Sequence, residues 1–258
     1  MRFLTQVIAS FQRSMRIFLR DKAVIGSSMV SPLFFLIVLP VLLFQNMPAE
    51  ALPIMRGYLV ISMCTFMIMI TAISNLPGSI AADRDHDLYS KLSSMPISPV
   101  SECIGRILTV LSFSGLGTVI VGGIGIALGA QLFVSATDLV LILGVGCVTV
   151  LAASGVGLVV AALAKSESAA AHVGLAIVMV TYFIGIAFPY ADLPPLLQPL
   201  ARFNPLSLAN SMMATLALGG NMGGFNPLNL YDGAFLISAS GLLFLIGLYL
   251  YSQRCWRR

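Results

Sequence analysis

The densest gathering of residues able to exchange protons or bind ions lies in one stretch. From Asp83 to Arg106 the chain reads DRDHDLYSKLSSMPISPVSECIGR. It carries seven charged side chains, in a 258-residue chain with only 14 basic and 10 acidic residues. What is missing narrows its chemistry. His86 and His172 stand far apart, and no nucleophile is paired with a base. Cys64, Cys103, Cys147 and Cys255 are scattered, without the spacing of a metal site or disulfide framework. No GxxxxGK[ST] phosphate loop occurs, so ATP is not bound by that route. The reading is no catalytic residue, no metal and no cofactor in this chain. The charges of the island serve contact.

The island reads as a short helix. Leu88, Leu92 and Met95 fall on one face, with Tyr89 and Lys91 beside it and Asp83, Arg84 and Asp87 leading in. Pro96 ends the helix, because proline disfavours helical geometry at the residue before it. Apolar side chains on a charged outcrop point to docking on a soluble partner. A merely solvated loop is the alternative.

The elements that must position this island are apolar. The chain is 58% hydrophobic and 9% charged, against about 25% charged in soluble domains, and its mean hydropathy is +0.97. Six stretches reach the roughly 20 apolar residues needed to cross a bilayer: 25–44, 57–81, 107–130, 139–163, 170–188 and 233–251. Their apolar residues run continuously, which excludes a β-barrel. The expected fold is all-α, a polytopic membrane protein with six transmembrane helices in a single domain over 1–258. A cleaved leader is the rival reading of the start, and Ala49-Glu50-Ala51 mimics a cleavage site. The first span is too long for that, and about twenty amphipathic residues precede it.

Basic residues orient the spans. Arg2, Arg13, Arg16, Arg20, Lys22, Arg84, Lys91, Arg106, Lys165, Arg254, Arg257 and Arg258 fall on one side, and only Arg56 and Arg202 on the other. Both termini are therefore expected in the cytosol of a cell-membrane protein. The +4 charge records that orientation, and no nucleic-acid partner is implied. The spans hold no charge near their centres: Glu102 and Arg106 stand at the start of the third, and Asp138 and Asp232 border the fourth and sixth. Ion-coupled transporters keep such groups near the midplane. The driving force must come from outside, or the protein is a passive channel or lipid scramblase.

Two segments are not spans. Residues 1–22 form an amphipathic helix, with Phe3, Leu4, Val7, Ile8, Phe11, Met15, Phe18 and Leu19 on one face and Arg13, Arg16 and Arg20 on another. It should lie in the membrane interface with its arginines at the lipid headgroups, as a passive anchor or as a lever. Residues 189–230 hold two short helix candidates after Pro189. One is capped by Asp192, with Pro194 and Pro195 in its first turn. The other has Asn204 as cap, Pro205 at its first position and Gly219-Gly220 at its end. Neither is long enough to span. The pair reads as re-entrant from the outer side and shaping an outer gate, with a surface-lying loop as the alternative.

Three passages, in this order, resemble the permease of a type-2 ABC exporter of the daunorubicin-resistance-like branch. AADRDHDLYSKLSSMPISPVSECIGRIL resembles that family's coupling segment. GIGIALGAQLF resembles the Gly-rich end of its third span. FPYADLPPLLQPLARFNPLSLANSMMATLALGG resembles the signature before its last span. One departure stands out: Asp83-Arg84-Asp85-His86-Asp87 replaces a Glu-Arg-x-x-Gly-Thr-like run. The resemblance implies a second permease chain, identical or related, and two copies of a cytosolic ABC ATP-binding subunit that hold the ATP and magnesium. It implies that Leu88, Tyr89, Leu92 and Met95 sit in a groove of that subunit. The cargo would be an amphipathic drug, lipid or lipid-linked molecule moved outward.

Overall fold

Apolar sequence of this length, with no water to satisfy its backbone, has helix as its solution. The computed structural model describes residues 2–43, 47–220 and 226–256. Among them are six helical stretches long and apolar enough to cross a membrane, and no strand. Phe44, Arg257, Arg258 and residues 221–225, which entered the readings above, lie outside the described residues.

Helix α1 (Arg2–Arg20) precedes the first span, Lys22–Leu42, built from α2 (Lys22–Ile25), a π-helical stretch (Gly26–Val30) and α3 (Ser31–Leu43). The second span is one continuous helical run, Leu52–Asp85, made of α4 (Leu52–Met69), a second π-helical stretch (Ile70–Asn75) and α5 (Leu76–Asp85). A short α6 (Leu88–Ser93) leads to α7 (Pro99–Ala127), α8 (Ala136–Leu163) and α9 (Glu167–Gly185). Two short helices, α10 (Leu197–Phe203) and α11 (Pro205–Leu218), come before the last span, α12 (Leu230–Arg254).

The second span is the axis of the bundle. Its most apolar window is 94% buried, against 22% for the first span and 17% for α12. Leu59, Met63, Phe66, Met67, Ile70 and Ile73 are packed on all sides, while the outer helices turn Val140, Leu143, Ile237 and Leu242 outward. Faces so apolar are stable against lipid or another chain, not against water. The approach to the axis is close. A Cβ on Gly157 of α8 would run into the Ala72 carbonyl, and one on Gly174 of α9 into that of Ile73. Both carbonyls belong to the π-helical stretch of the second span. The two π-helical stretches also meet: Asn75 Nδ2 donates to Ser28 Oγ at 2.6 Å, and Ser27 Oγ to Asn75 Oδ1 at 3.2 Å.

Helix α1 lies along the first half of α7, from Gln6, which bonds the Pro96 carbonyl and Ser101, to Phe18, whose ring meets Phe113 edge-on at 5.7 Å. Val7, Ser14 and Phe18 are buried in that contact, while Phe3, Leu4, Ile8 and Leu19 remain exposed.

The helix expected to start at Asp192 starts later. Tyr190–Asp192 form a 3₁₀ turn, Leu193 is extended with ψ 141°, and α10 begins at Leu197. Leu193 precedes Pro194, whose ring drives its neighbour out of helical geometry. The second candidate helix has the predicted ends: Asn204 Oδ1 accepts from Leu206 N at 3.0 Å, and Gly219 closes α11 in the left-handed region at φ 65°.

Candidate functional site

The charged island does not stand out from the bundle as a solvated loop. Its first residues turn inward. Asp83, at the end of α5, forms ion pairs with both Arg13 of α1 and Arg106 of α7. Arg106 is 1% exposed, and its Nε lies 2.5 Å from Glu102 Oε1, one helical turn back. Its Nη1 reaches Ser79 Oγ at 3.3 Å. Glu102, itself buried, accepts a hydrogen bond from the Tyr251 hydroxyl near the end of α12. That hydroxyl stands 3.2 Å from the Tyr89 hydroxyl of α6 and accepts from Trp256 Nε1 at 3.1 Å. Two cations and two anions thus cancel, with Arg106 and Glu102 buried and Arg13 at the partly exposed rim. A buried charge is tolerated on that condition.

This cluster ties together α1, α5, α6, α7 and α12 at one end of the bundle. Burial holds the Tyr89 phenol protonated well above its usual range, with Arg106 opposing and Glu102 reinforcing that rise. A cleft of about 490 Å³ between α1, α6 and α7 opens onto it, lined by Gln6, Ser10, Arg13, Leu92, Ile97 and Glu102.

The docking face read from sequence is therefore revised. Tyr89 is 3% exposed and packs on Trp256 and Tyr251, with ring centroids 5.7 and 6.1 Å away. It faces the bundle, because its ring fills the space over the ionic cluster. Leu92 is half-buried against the same core. Arg84 bonds the carbonyls of Ala161 and Ala164 at 3.3 and 2.8 Å, satisfying the end of α8. Asp85 accepts from Glu167 N at 3.4 Å at the start of α9. Left outward are Asp85, His86, Asp87, Ser90, Lys91 and Met95, with Leu88 half-exposed. Asp87 takes the left-handed conformation, φ 53°, and so turns the chain into α6. Arg13 is likewise not free for headgroups, being held by Asp83, whereas Arg16 and Arg20 are exposed.

Sequence reasoning missed Glu102, Arg106, Tyr251 and Trp256 as site residues. The first two carried a usable signal: opposite charges at i and i+4 at the start of an apolar helix, where they share a face. The last two carried none, since an aromatic near the end of a span has many uses.

A second polar site lies where α4, α9 and α11 meet. Helix α9 stops at Gly185, four residues short of Pro189, and the carbonyls at and just beyond its end are taken by neighbours. Ser207 Oγ donates to Gly185 O at 2.6 Å, Ser62 Oγ to Ile186 O at 2.9 Å, and Tyr58 OH to Phe188 O at 2.8 Å. Free carbonyls inside a membrane protein require such partners. Thr65 Oγ1 bonds Asn210 Oδ1 at 2.8 Å across the same seam. Pro189, Asp192 and Tyr58 line a cavity of about 170 Å³ at its rim. Pro194 lies in the extended link before α10, and Asn204 and Pro205 open α11.

The six spans and a buried ionic cluster at one end of the bundle define a polytopic helical membrane protein. Comparison with protein families makes the class specific: the family profile of the ABC-2 type transporter matches residues 5–218. The chain belongs to that family, and is a membrane permease subunit of an ABC transport system rather than its ATPase. No curated protein sequence matches it.

Proposed function

We propose that this chain is the permease of an ATP-driven exporter of the daunorubicin-resistance-like branch. It sits in the cell membrane with both termini in the cytosol. It pairs with a second permease chain and is driven by two copies of a cytosolic ABC ATP-binding subunit, which hold the ATP and magnesium. The cargo is an amphipathic drug, lipid or lipid-linked molecule. Helix α1 lies in the interface through Phe3, Leu4, Ile8 and Leu19, with Arg16 and Arg20 at the headgroups, and α10–α11 re-enter from the outer side.

One observation carries the reading. Helix α6 is anchored by Tyr89 onto a cluster that reaches α1, α5, α7 and α12. A partner that grips α6 differently in its ATP-bound and ATP-free states shifts all of these together. Such differential binding is the source of coupling. The outer face of α6 with Leu88 and Lys91, and Met95 in the turn after it, is the surface to be gripped.

The test is copurification of the tagged chain with the products of neighbouring genes, followed by substitution. Leu88→Asp with Met95→Asp should abolish capture of an ATP-binding subunit and leave the thermal midpoint of the permease unchanged. Absence of any such subunit from the wild-type preparation, or undiminished capture by the double variant, would defeat the proposal. Flux through liposomes containing the chain alone would favour a channel or scramblase instead.

A further inference from the structure

At the end of the second span away from the ionic cluster, Arg56 stands over a groove between α3, α4 and α7. Its Nη1 donates to the Leu128 carbonyl at 2.9 Å, just past the end of α7. The guanidinium lies over Gly129, where a Cβ would come within 3.1 Å of it. Arginine carries five N–H donors and a permanent charge, and one carbonyl uses few of them. Among the described residues no carboxylate pairs with Arg56, whereas Arg202 faces Asp232 at 3.6 Å. Arg56 is half-buried, so it holds a charge that the chain itself does not answer.

Beneath Arg56 the groove is apolar. It encloses about 210 Å³, with Leu36, Ile37 and Pro40 of α3 on one wall and Leu59 and Val60 of α4 on the other. Arg56, Leu59 and Val60 stand at i, i+3 and i+4 and so share one helix face. The cation is at the mouth and the apolar wall lies a turn deeper. Gly125 of α7 lets the floor come close, since Val60 Cγ2 lies 2.1 Å from where its Cβ would be. Ile37 is exposed, so the groove opens sideways out of the bundle. From Arg56 to Val60 is about 6 Å at 1.5 Å per residue, room for the first few carbons of an alkyl chain.

We propose that this groove is a phospholipid site. The phosphodiester of a glycerophospholipid takes the remaining donors of Arg56, and the head of one acyl chain lies between α3 and α4. Arginine matches phosphate through paired charge-assisted bonds. A free phosphate would answer the charge and leave the apolar walls bare. A diacylglycerol would cover the walls and leave the charge unanswered. The lipid joins the thinly packed first span to the axis of the bundle. This inference rests on the membrane-spanning fold, and not on the cargo, direction or ATPase of the proposed exporter.

The experiment uses the full chain in a sugar-headed detergent, without nucleotide. The probe is phosphatidylglycerol with a diazirine near the carboxyl end of one acyl chain, and labelled peptides are read by mass spectrometry after photolysis. Label on α3 and α4 should be about tenfold denser than around Ile237 and Leu242 of α12, which are also exposed. Unlabelled phosphatidylglycerol should remove it, while dioleoylglycerol and inorganic phosphate should not. Arg56→Gln should lower the groove label about tenfold, the worth of a charge-assisted hydrogen bond, and leave the α12 label unchanged. Ile37→Trp fills the groove from an exposed position and should lower the label on α4 with Arg56 intact. It and the competition on the wild-type chain decide the matter if Arg56→Gln does not fold. Any of four results overturns the proposal. These are equal label on the groove and α12, undiminished label in either variant, removal by dioleoylglycerol, or removal by inorganic phosphate alone.

Discussion

Replacing Arg106 with methionine tests the ionic cluster most directly. The side chain is enclosed, and it pairs with Glu102 and Asp83 while touching Ser79. With it in place the four charges Arg13, Asp83, Glu102 and Arg106 cancel. Without it Asp83 keeps Arg13, but Glu102 retains only the Tyr251 hydroxyl. Breaking a buried pair from one side costs about 3–5 kcal/mol, because the remaining charge stays buried. For a chain of this size that corresponds to a fall in thermal midpoint of roughly 6–20 °C. The double variant Arg106→Met with Glu102→Gln removes both charges and leaves a carbonyl to accept from Tyr251. It should recover most of the loss, giving a coupling of about 2 kcal/mol or more between the two sites. Thermal unfolding of the detergent-solubilised chain, followed by size-exclusion of the surviving folded fraction, reads both. A single variant within about 1 kcal/mol of wild type, or a double variant no better than the single, would refute the compensated-charge argument.

Three further outcomes follow from the same geometry. Arg84→Ala should expose the last carbonyls of α8 and cost about 1.5–3 kcal/mol, the worth of a charge-assisted hydrogen bond, seen as faster hydrogen exchange around 161–167. Gly157→Ala should lower the yield of folded protein sharply, since its Cβ meets the backbone carbonyl of Ala72 and not a movable side chain, while Gly144→Ala, which meets nothing, should be silent. Tyr89 keeps its proton in the folded state above the ordinary phenol value. Its contribution is therefore complete below about pH 10 and is lost as pH rises from there towards the folded value. Midpoints measured from pH 8 to 12 should fall at the alkaline end, and less steeply in Tyr89→Phe.

The short segments show where reading by sequence succeeds and where it stops. Helix α11 was legible at both ends because Asn204, Pro205 and Gly219 each act on the backbone beside them. The neighbouring helix was misplaced by four residues because two local signals competed. Asp192 can cap, but Pro194 forbids Leu193 the helical conformation, and the proline prevailed. In α6 the helix was legible, but it ends at Ser93, short of the Met95 placed on its face and of Pro96, and its orientation was not legible. Whether Tyr89 or Lys91 faces outward is decided by what lies beneath, and what lies beneath is Tyr251 and Trp256, more than 160 positions along the chain.

Composition and spacing by themselves determined that this is a six-span helical membrane protein without an ATP-binding loop. Those properties follow from the length of apolar runs and from motifs that act over a few residues. The fold alone decided that Asp83 and Arg84 face inward while Asp85 stays exposed beside the start of α9. An ionised group in a largely apolar chain goes where opposite charge or free carbonyls await it. For these two the partners are Arg13, Arg106 and the end of α8, brought within reach only when the helices pack.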